Sequence, residues 1–159
     1  MRPDFRFLTA HPAHFVACGF GSGLSPKAPG TAGTLAAWVT FPLLATGLGE
    51  GPLLILLALF FVLGVVVAER TGRALGVSDH GAIVWDEMVP FWLILVLTPK
   101  SWMWQTAAFA LFRFFDIVKP PPVRWADRRV KGGFGVMLDD LIAAGYTLLV
   151  LALFKRLLD

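Results

Sequence analysis

Apolar residues gather in five runs, Thr34 to Leu48, Pro52 to Ala68, Met88 to Thr98, Trp102 to Phe115 and Leu141 to Phe154, with most charged residues between them. Runs this continuous lack the polar face of a surface helix, so they predict helices surrounded by protein or lipid. A helical crossing takes about 20 residues. Pro52 to Ala68 reads as a span by itself, and the other runs must borrow flanking residues or fall short. Gly49 to Gly51 turns the chain between a helix of about Thr31 to Leu48 and one of about Pro52 to Leu75. A third helix, capped by Ser78 or Asp79, runs into Phe91 to Leu97. A fourth covers about Ser101 to Val118, with Trp102 and Trp104 as an interfacial belt. Pro120, Pro121 and Pro122 stop it, and the last helix covers about Phe134 to Leu158. The expected fold is all-α, a polytopic membrane bundle of about four to five apolar helices in a single domain, residues 1–159.

Composition strengthens that reading. With 159 residues, 57% hydrophobic and 16% charged, and a mean hydropathy of +0.71, the chain is too apolar for a soluble domain of its size. The lone Cys18 excludes an internal disulfide and reads as a buried, inert thiol. The opening MRPDFRFLTAHPAHF lacks the apolar core of a cleaved signal peptide, so the mature chain is expected to begin there. A net charge of +3 marks membrane-proximal loops in such a protein rather than nucleic-acid binding. Arg2, Arg6, Arg70, Arg73, Lys119, Arg124, Arg128, Arg129 and Lys131 should face the cytoplasm, and four alternating crossings satisfy this. Lys100, Lys155 and Arg156 dissent, so the last helix is expected to span imperfectly.

The polar residues form three blocks. The first, Ala17 to Thr34, is rich in glycine and proline and fits neither the dinucleotide fingerprint nor the P-loop. Its small residues would let amides approach a ligand, Thr31 stands where an N-cap would, and the following helix would aim its positive end at the loop. Ser25, Lys27 and Thr31 are therefore candidate anion ligands; a re-entrant turn packed through glycine is the plainer alternative. The second block, SDHGAIVWDEMVPFW, sets Asp86 and Glu87 among apolar neighbours, which is costly near a bilayer unless they are paired or hold a cation. Pro90 cannot donate to the carbonyl of Asp86, and His80 reads as a cap or surface residue. The third block, Arg113 to Asp140, places Arg113, Asp116 and Lys119 at three-residue steps along one helix side. Glycines at 132, 133 and 135 then deliver Asp139 and Asp140 to the first turns of the last helix, where negative charge suits the helix dipole.

The orientation set by basic residues alone puts all three blocks at one membrane face. There Asp86, Glu87, Asp116, Asp139 and Asp140 would form an oxygen shell suited to Mg²⁺, with Arg113 and Lys119 meeting phosphate. These features indicate phosphoryl chemistry on a phospholipid among the membrane lipids. Five carboxylates exceed what one Mg²⁺ takes directly, so a second metal, or one acid as general base, stays open. A covalent route through Ser25 or Thr31 is disfavoured, because no histidine is visibly placed beside either. An ion-coupled transporter using the same carboxylates is the main rival and a non-catalytic scaffold the third reading. Against the transporter, the acids sit near helix ends and no inverted repeat is visible.

GFGSGLSPKAPGTAGTLAA, DHGAIVWDEMVPFW and FRFFDIVKPPPVRWADRRVKGGFGVMLDD resemble, in order, the three signature blocks of the bacterial phosphatidylglycerophosphatase A family. The resemblance implies a Mg²⁺-dependent, multi-pass enzyme of the inner membrane that removes the terminal phosphate of phosphatidylglycerophosphate at the cytoplasmic face. It assigns the site to Asp86, Glu87, Asp116, Asp139 and Asp140, with Arg113 and Lys119. Pro90 departs from the glycine common in relatives, a change that touches helix shape. The blocks of CDP-alcohol phosphotransferases and of phosphatidic-acid-phosphatase-type enzymes are missing.

Overall fold

A computed structural model describes residues 2–159, and among them every regular element is helical. Two short helices, α1 (Phe5–Ala10) and α2 (Pro12–Ala17), lead through a 3₁₀ segment (Gly19–Leu24) into α3 (Pro29–Ala45) and α4 (Glu50–Leu75). Then come α5 (Trp85–Leu97), α6 (Trp102–Val118), the short α7 (Val123–Arg129) and α8 (Gly132–Leu158). The sequence did not foresee α1, α2 or α7, because each is too short to show a hydrophobic period of its own. Residues 123–129, read as a basic connector, are helical because Val123 and Ala126 bury one turn against the bundle.

Several boundaries differ from expectation. Helix α3 starts at Pro29, which suits the first helical position because its missing amide would have no partner there. Thr31 therefore lies inside the first turn and does not cap it. Neither Ser78 nor Asp79 caps α5, which begins only at Trp85. The amides before it are used elsewhere: Ala82 donates to Nδ1 of His80 at 3.1 Å, Ile83 to the His80 carbonyl at 2.8 Å, and Val84 to the Ala17 carbonyl at 2.9 Å. Helix α8 begins two residues before the expected Phe134.

Helix α5 is the hub, with Met88, Val89, Phe91, Trp92, Ile94 and Leu95 all buried and α3, α4, α6 and α8 packed around it. Thirteen residues rise only about 20 Å, so this helix is a core strut enclosed by protein. Indole N–H groups pin it in place: Trp85 donates to the Phe60 carbonyl at 3.0 Å and Trp92 to the Ala37 carbonyl at 2.8 Å.

Two helices, α4 with 26 residues and α8 with 27, are long and apolar enough to cross a membrane. Only 28% of the most apolar stretch of α4 is buried by protein, leaving Ile55, Leu59, Val62 and Val66 facing outward. Val39 and Leu43 of α3 and Leu153 and Leu157 of α8 are exposed as well, an extent of bare apolar surface that suits contact with lipid better than with water. Helix α8 thus has the length that its basic tail put in doubt. Helices α3 and α6, 17 residues each, and α5 fall short of a full crossing.

Because consecutive long helices run in opposite directions, the start of α3, the end of α4, the start of α5, the end of α6, and α7 with the start of α8 share one end of the bundle. Glycines draw them together there. A Cβ on Gly64 would stand 2.6 Å from Cε of Met137 on α8 and 2.8 Å from Cδ1 of Trp85 on α5.

Candidate active site

Each acid reaches the polar end through a different helix. Asp86 and Glu87 occupy the first turn of α5, Asp116 the last turn of α6, and Asp139 and Asp140 the third turn of α8. Being adjacent on α8, Asp139 and Asp140 point about 100° apart around its axis, and this divides the acids into two groups.

The first group is Glu87, Asp116 and Asp140, whose carboxylate oxygens lie within 4.8 Å of one another. Asp86, 6% exposed, borders it beside Asp140. Arg113 belongs here: its Nη1 donates to Oε1 of Glu87 at 3.1 Å and also to Asp116, one helical turn away. Four carboxyls against one guanidinium leave negative charge uncompensated in a buried setting. Two oxygens, Oδ1 of Asp86 and Oε2 of Glu87, are buried with no hydrogen-bond partner among the described residues, and so is Nε of Arg113. Hard, partnerless oxygens beside further carboxylates are the donor chemistry that a divalent cation such as Mg²⁺ requires.

The second group is Asp79, Asp127 and Asp139, also within 4.8 Å of one another. Its cation is Lys119, whose Nζ donates to Oδ1 of Asp127 at 2.8 Å and Oδ2 of Asp139 at 2.9 Å. The lysine leaves the side shared by Arg113 and Asp116 because it is the C-cap of α6, in the left-handed conformation with φ 49°. Burial disfavours its ammonium, yet the two hydrogen bonds and the charges of Asp139 and Asp127 outweigh that and raise its pKa. The same bond from Lys119 holds the Asp127 carboxyl below the usual carboxylate range. A small polar cavity of about 90 Å³ opens beside this group, lined by Asp79, Asp127, Lys131 and Asp139.

The glycine-rich loop meets the acids at a residue that sequence reasoning passed over. A Cβ on Gly30 would overlap Oε1 of Glu87 and stand 3.0 Å from Nη2 of Arg113. The expected anion ligands take other partners: Ser25 Oγ donates to the Lys27 carbonyl at 2.8 Å and Lys27 is exposed. Thr31 is half-buried, one residue past Gly30. Among the described residues no hydrogen bond or ion pair joins these three to the carboxylates. Asp79 and Asp127 were also missed. Asp127 stood in the charged stretch without a partner visible in sequence, and Asp79 was taken for a cap.

Residues 15–155 match the family model for phosphatidylglycerophosphatase A. The chain belongs to the phosphatidylglycerophosphatase A family. A phosphatidylglycerophosphatase A of Haemophilus influenzae is 49% identical over 141 residues, covering 88% of this chain and 86% of the relative. One from Escherichia coli is 45% identical over 139 residues, covering 87% and 80%. A Bacteroides thetaiotaomicron protein, provisionally named a phosphatidylinositol-3-phosphatase, is 43% identical over 144 residues, covering 86% and 89%. No solved structure matches the chain. Within this phosphatidylglycerophosphatase A family member, the matched span contains both acidic groups, Arg113, Lys119 and Gly30. Its membrane association follows from the family together with the two long apolar helices.

Proposed function

We propose that this protein is a phosphatidylglycerophosphatase, a phosphoric monoester hydrolase that converts phosphatidylglycerophosphate to phosphatidylglycerol and inorganic phosphate. It works as a multi-pass protein of a bacterial inner membrane with its site toward the cytoplasm, the side favoured by Arg2, Arg6, Arg70, Arg73 and the arginines of α7. The names of the two relatives at 45% and 49% identity support the substrate. The observation that carries the chemistry is the group of Glu87, Asp116 and Asp140 with Asp86 beside it, in which two buried oxygens lack hydrogen-bond partners among the described residues.

Asp86, Glu87, Asp116 and Asp140 would hold Mg²⁺, with Asp139 beside them. Bound there, the ion supplies Lewis-acid polarisation of the phosphoryl oxygens and lowers the pKa of water. Arg113, fixed by Glu87 and Asp116, sets a guanidinium against the anionic phosphoryl group. One carboxylate of the group, left free of the ion, would take a proton from the attacking water, whose oxygen bonds to phosphorus as the phosphorus–ester oxygen bond breaks, and would return that proton to the departing oxygen to give the product hydroxyl. Lys119 holds Asp139 and Asp127 in place and ties α7 to α8. Ser25, with its hydroxyl on the Lys27 carbonyl, is not set up as a nucleophile. The transporter reading loses its footing, since the family is one of lipid phosphatases and the acids gather toward one end of the bundle.

The test is phosphate release by purified protein in mixed micelles of phosphatidylglycerophosphate, phosphatidylinositol 3-phosphate or phosphatidic acid, with Mg²⁺ or with chelator. Release from phosphatidylglycerophosphate should exceed the others and stop on chelation. Equal rates with chelator would refute the Mg²⁺ assignment, and preference for the inositol lipid would move the substrate to that of the Bacteroides relative.

A further inference from the structure

Glycines at the polar end are of two physical kinds. At Gly133 and Gly23, an added Cβ would overlap backbone carbonyl oxygens, those of Val65 and Ala82, which cannot step aside. At Gly30 it would overlap the far end of a flexible side chain, Oε1 of Glu87, with Cδ of Glu87 at 2.9 Å and Nη2 of Arg113 at 3.0 Å. The backbone raises no objection to a side chain there. Gly30 stands in the first turn of α3 with ordinary helical geometry, and alanine is the better helix former.

We infer that Gly30 is a positioning residue for Glu87: the bare backbone of the first turn of α3 is the wall that keeps the Glu87 carboxylate on Arg113 and within reach of Asp116 and Asp140. The inference rests on the phosphatase reading of that acidic group and adds to it the role of the glycine-rich block. That block serves the site through a missing side chain rather than through Ser25, Lys27 or Thr31. A methyl group at Gly30 would swing Glu87 away while the fold stays intact, because the nearest atoms it would meet belong to the Glu87 and Arg113 side chains rather than to backbone. Displacements of about 1 Å in such a group cost on the order of 10²-fold in rate.

The decisive comparison is G30A, E87D and the double variant G30A/E87D, with G145A as control, since a Cβ on Gly145 meets nothing within 4 Å. Aspartate is one methylene shorter and withdraws the carboxylate from the space that the alanine fills. For each protein two quantities are read in detergent: the Mg²⁺-induced rise in melting temperature and the rate of phosphate release. The inference requires G30A to keep the melting temperature of the wild type without Mg²⁺, to lose most of the Mg²⁺-induced rise, and to lose at least tenfold in rate. It also requires G30A/E87D to exceed G30A in both readouts, and G145A to match the wild type. A G30A protein with wild-type Mg²⁺ response and rate would overturn it. So would a G30A that aggregates, which would make Gly30 a packing residue, or a double variant no better than G30A while E87D alone responds to Mg²⁺. If the wild type releases no phosphate from any lipid, the phosphatase reading fails, and the Mg²⁺ melting shifts of the same proteins still decide the role of Gly30.

Discussion

The amide of Gly133 donates to Oε2 of Glu69 at 2.7 Å, so the first turn of α8 is capped by a side chain from α4. Arg73, one turn further along α4, holds the same carboxylate at 2.7 Å. The sequence placed Asp139 and Asp140 in the first turns of the last helix, where they would serve its dipole. In the structure they stand two turns in, beyond the reach of free amides, and Glu69 does the capping. That leaves Asp140 for the group with Glu87 and Asp116, while Asp139 accepts from Lys119 and from the Asp140 amide.

Replacing Glu69 with alanine should lower the melting temperature in detergent, and glutamine, which keeps an acceptor oxygen, should restore most of the loss. Gly133→Ala should be far worse than either, because its Cβ would overlap the Val65 carbonyl and the two helices would have to part. A folded, fully active G133A would contradict this close approach.

Asp86→Asn, Asp116→Asn and Asp140→Asn should each reduce phosphate release by about 10²-fold or more while the proteins elute as the wild type does. Asp139→Asn should also abolish turnover, and Asp127→Asn, which neutralises the other partner of Lys119, should cost less. Near wild-type rates for both D86N and D140N would dissolve the carboxylate shell. Equal losses for D127N and D140N would show that the two acidic groups act as one unit.

Arg113 is predicted to be irreplaceable by lysine. Its Nη1 serves Glu87 and Asp116 together while Nη2 stands close to Gly30, and a lysine has no second nitrogen to fill that place. R113K should lose activity nearly as R113A does, and R113A should destabilise the fold by about 3–5 kcal/mol, the usual cost of stripping a buried ion pair of one partner. The measurement is a melting curve beside a rate for each variant.

His14 should make docking of the amino-terminal helices depend on pH. Its ring stacks on Phe7 at 4.3 Å and its Nδ1 meets Oγ1 of Thr71 on α4 at 3.0 Å. Burial first, then the positive charges of His11 and Arg70, holds its pKa below the ordinary histidine value of about 6.5. The folded state favours the neutral ring, so this stabilisation is complete above the ordinary pKa and is lost as pH falls through the lowered one. The wild type should lose melting temperature between pH 7 and pH 5 more steeply than H14Q, whose side chain does not titrate. Parallel curves would remove His14 as the cause.

Read alone, the sequence settles class and membrane setting, because these depend on sums along the chain: apolar runs too continuous to face water, and charge confined between them. It also names five acids, Arg113 and Lys119, since carboxylates among tryptophans and valines are costly enough to need a reason. Pairings are beyond it, because a pairing depends on which way each side chain leaves its helix and on how closely two backbones approach. A left-handed turn at Lys119 sends that lysine to Asp127 and Asp139 instead of to Asp116. The 100° step between Asp139 and Asp140 assigns them to different groups, and glycine 30, having no side chain to read, shows its place only when Glu87 is packed against it.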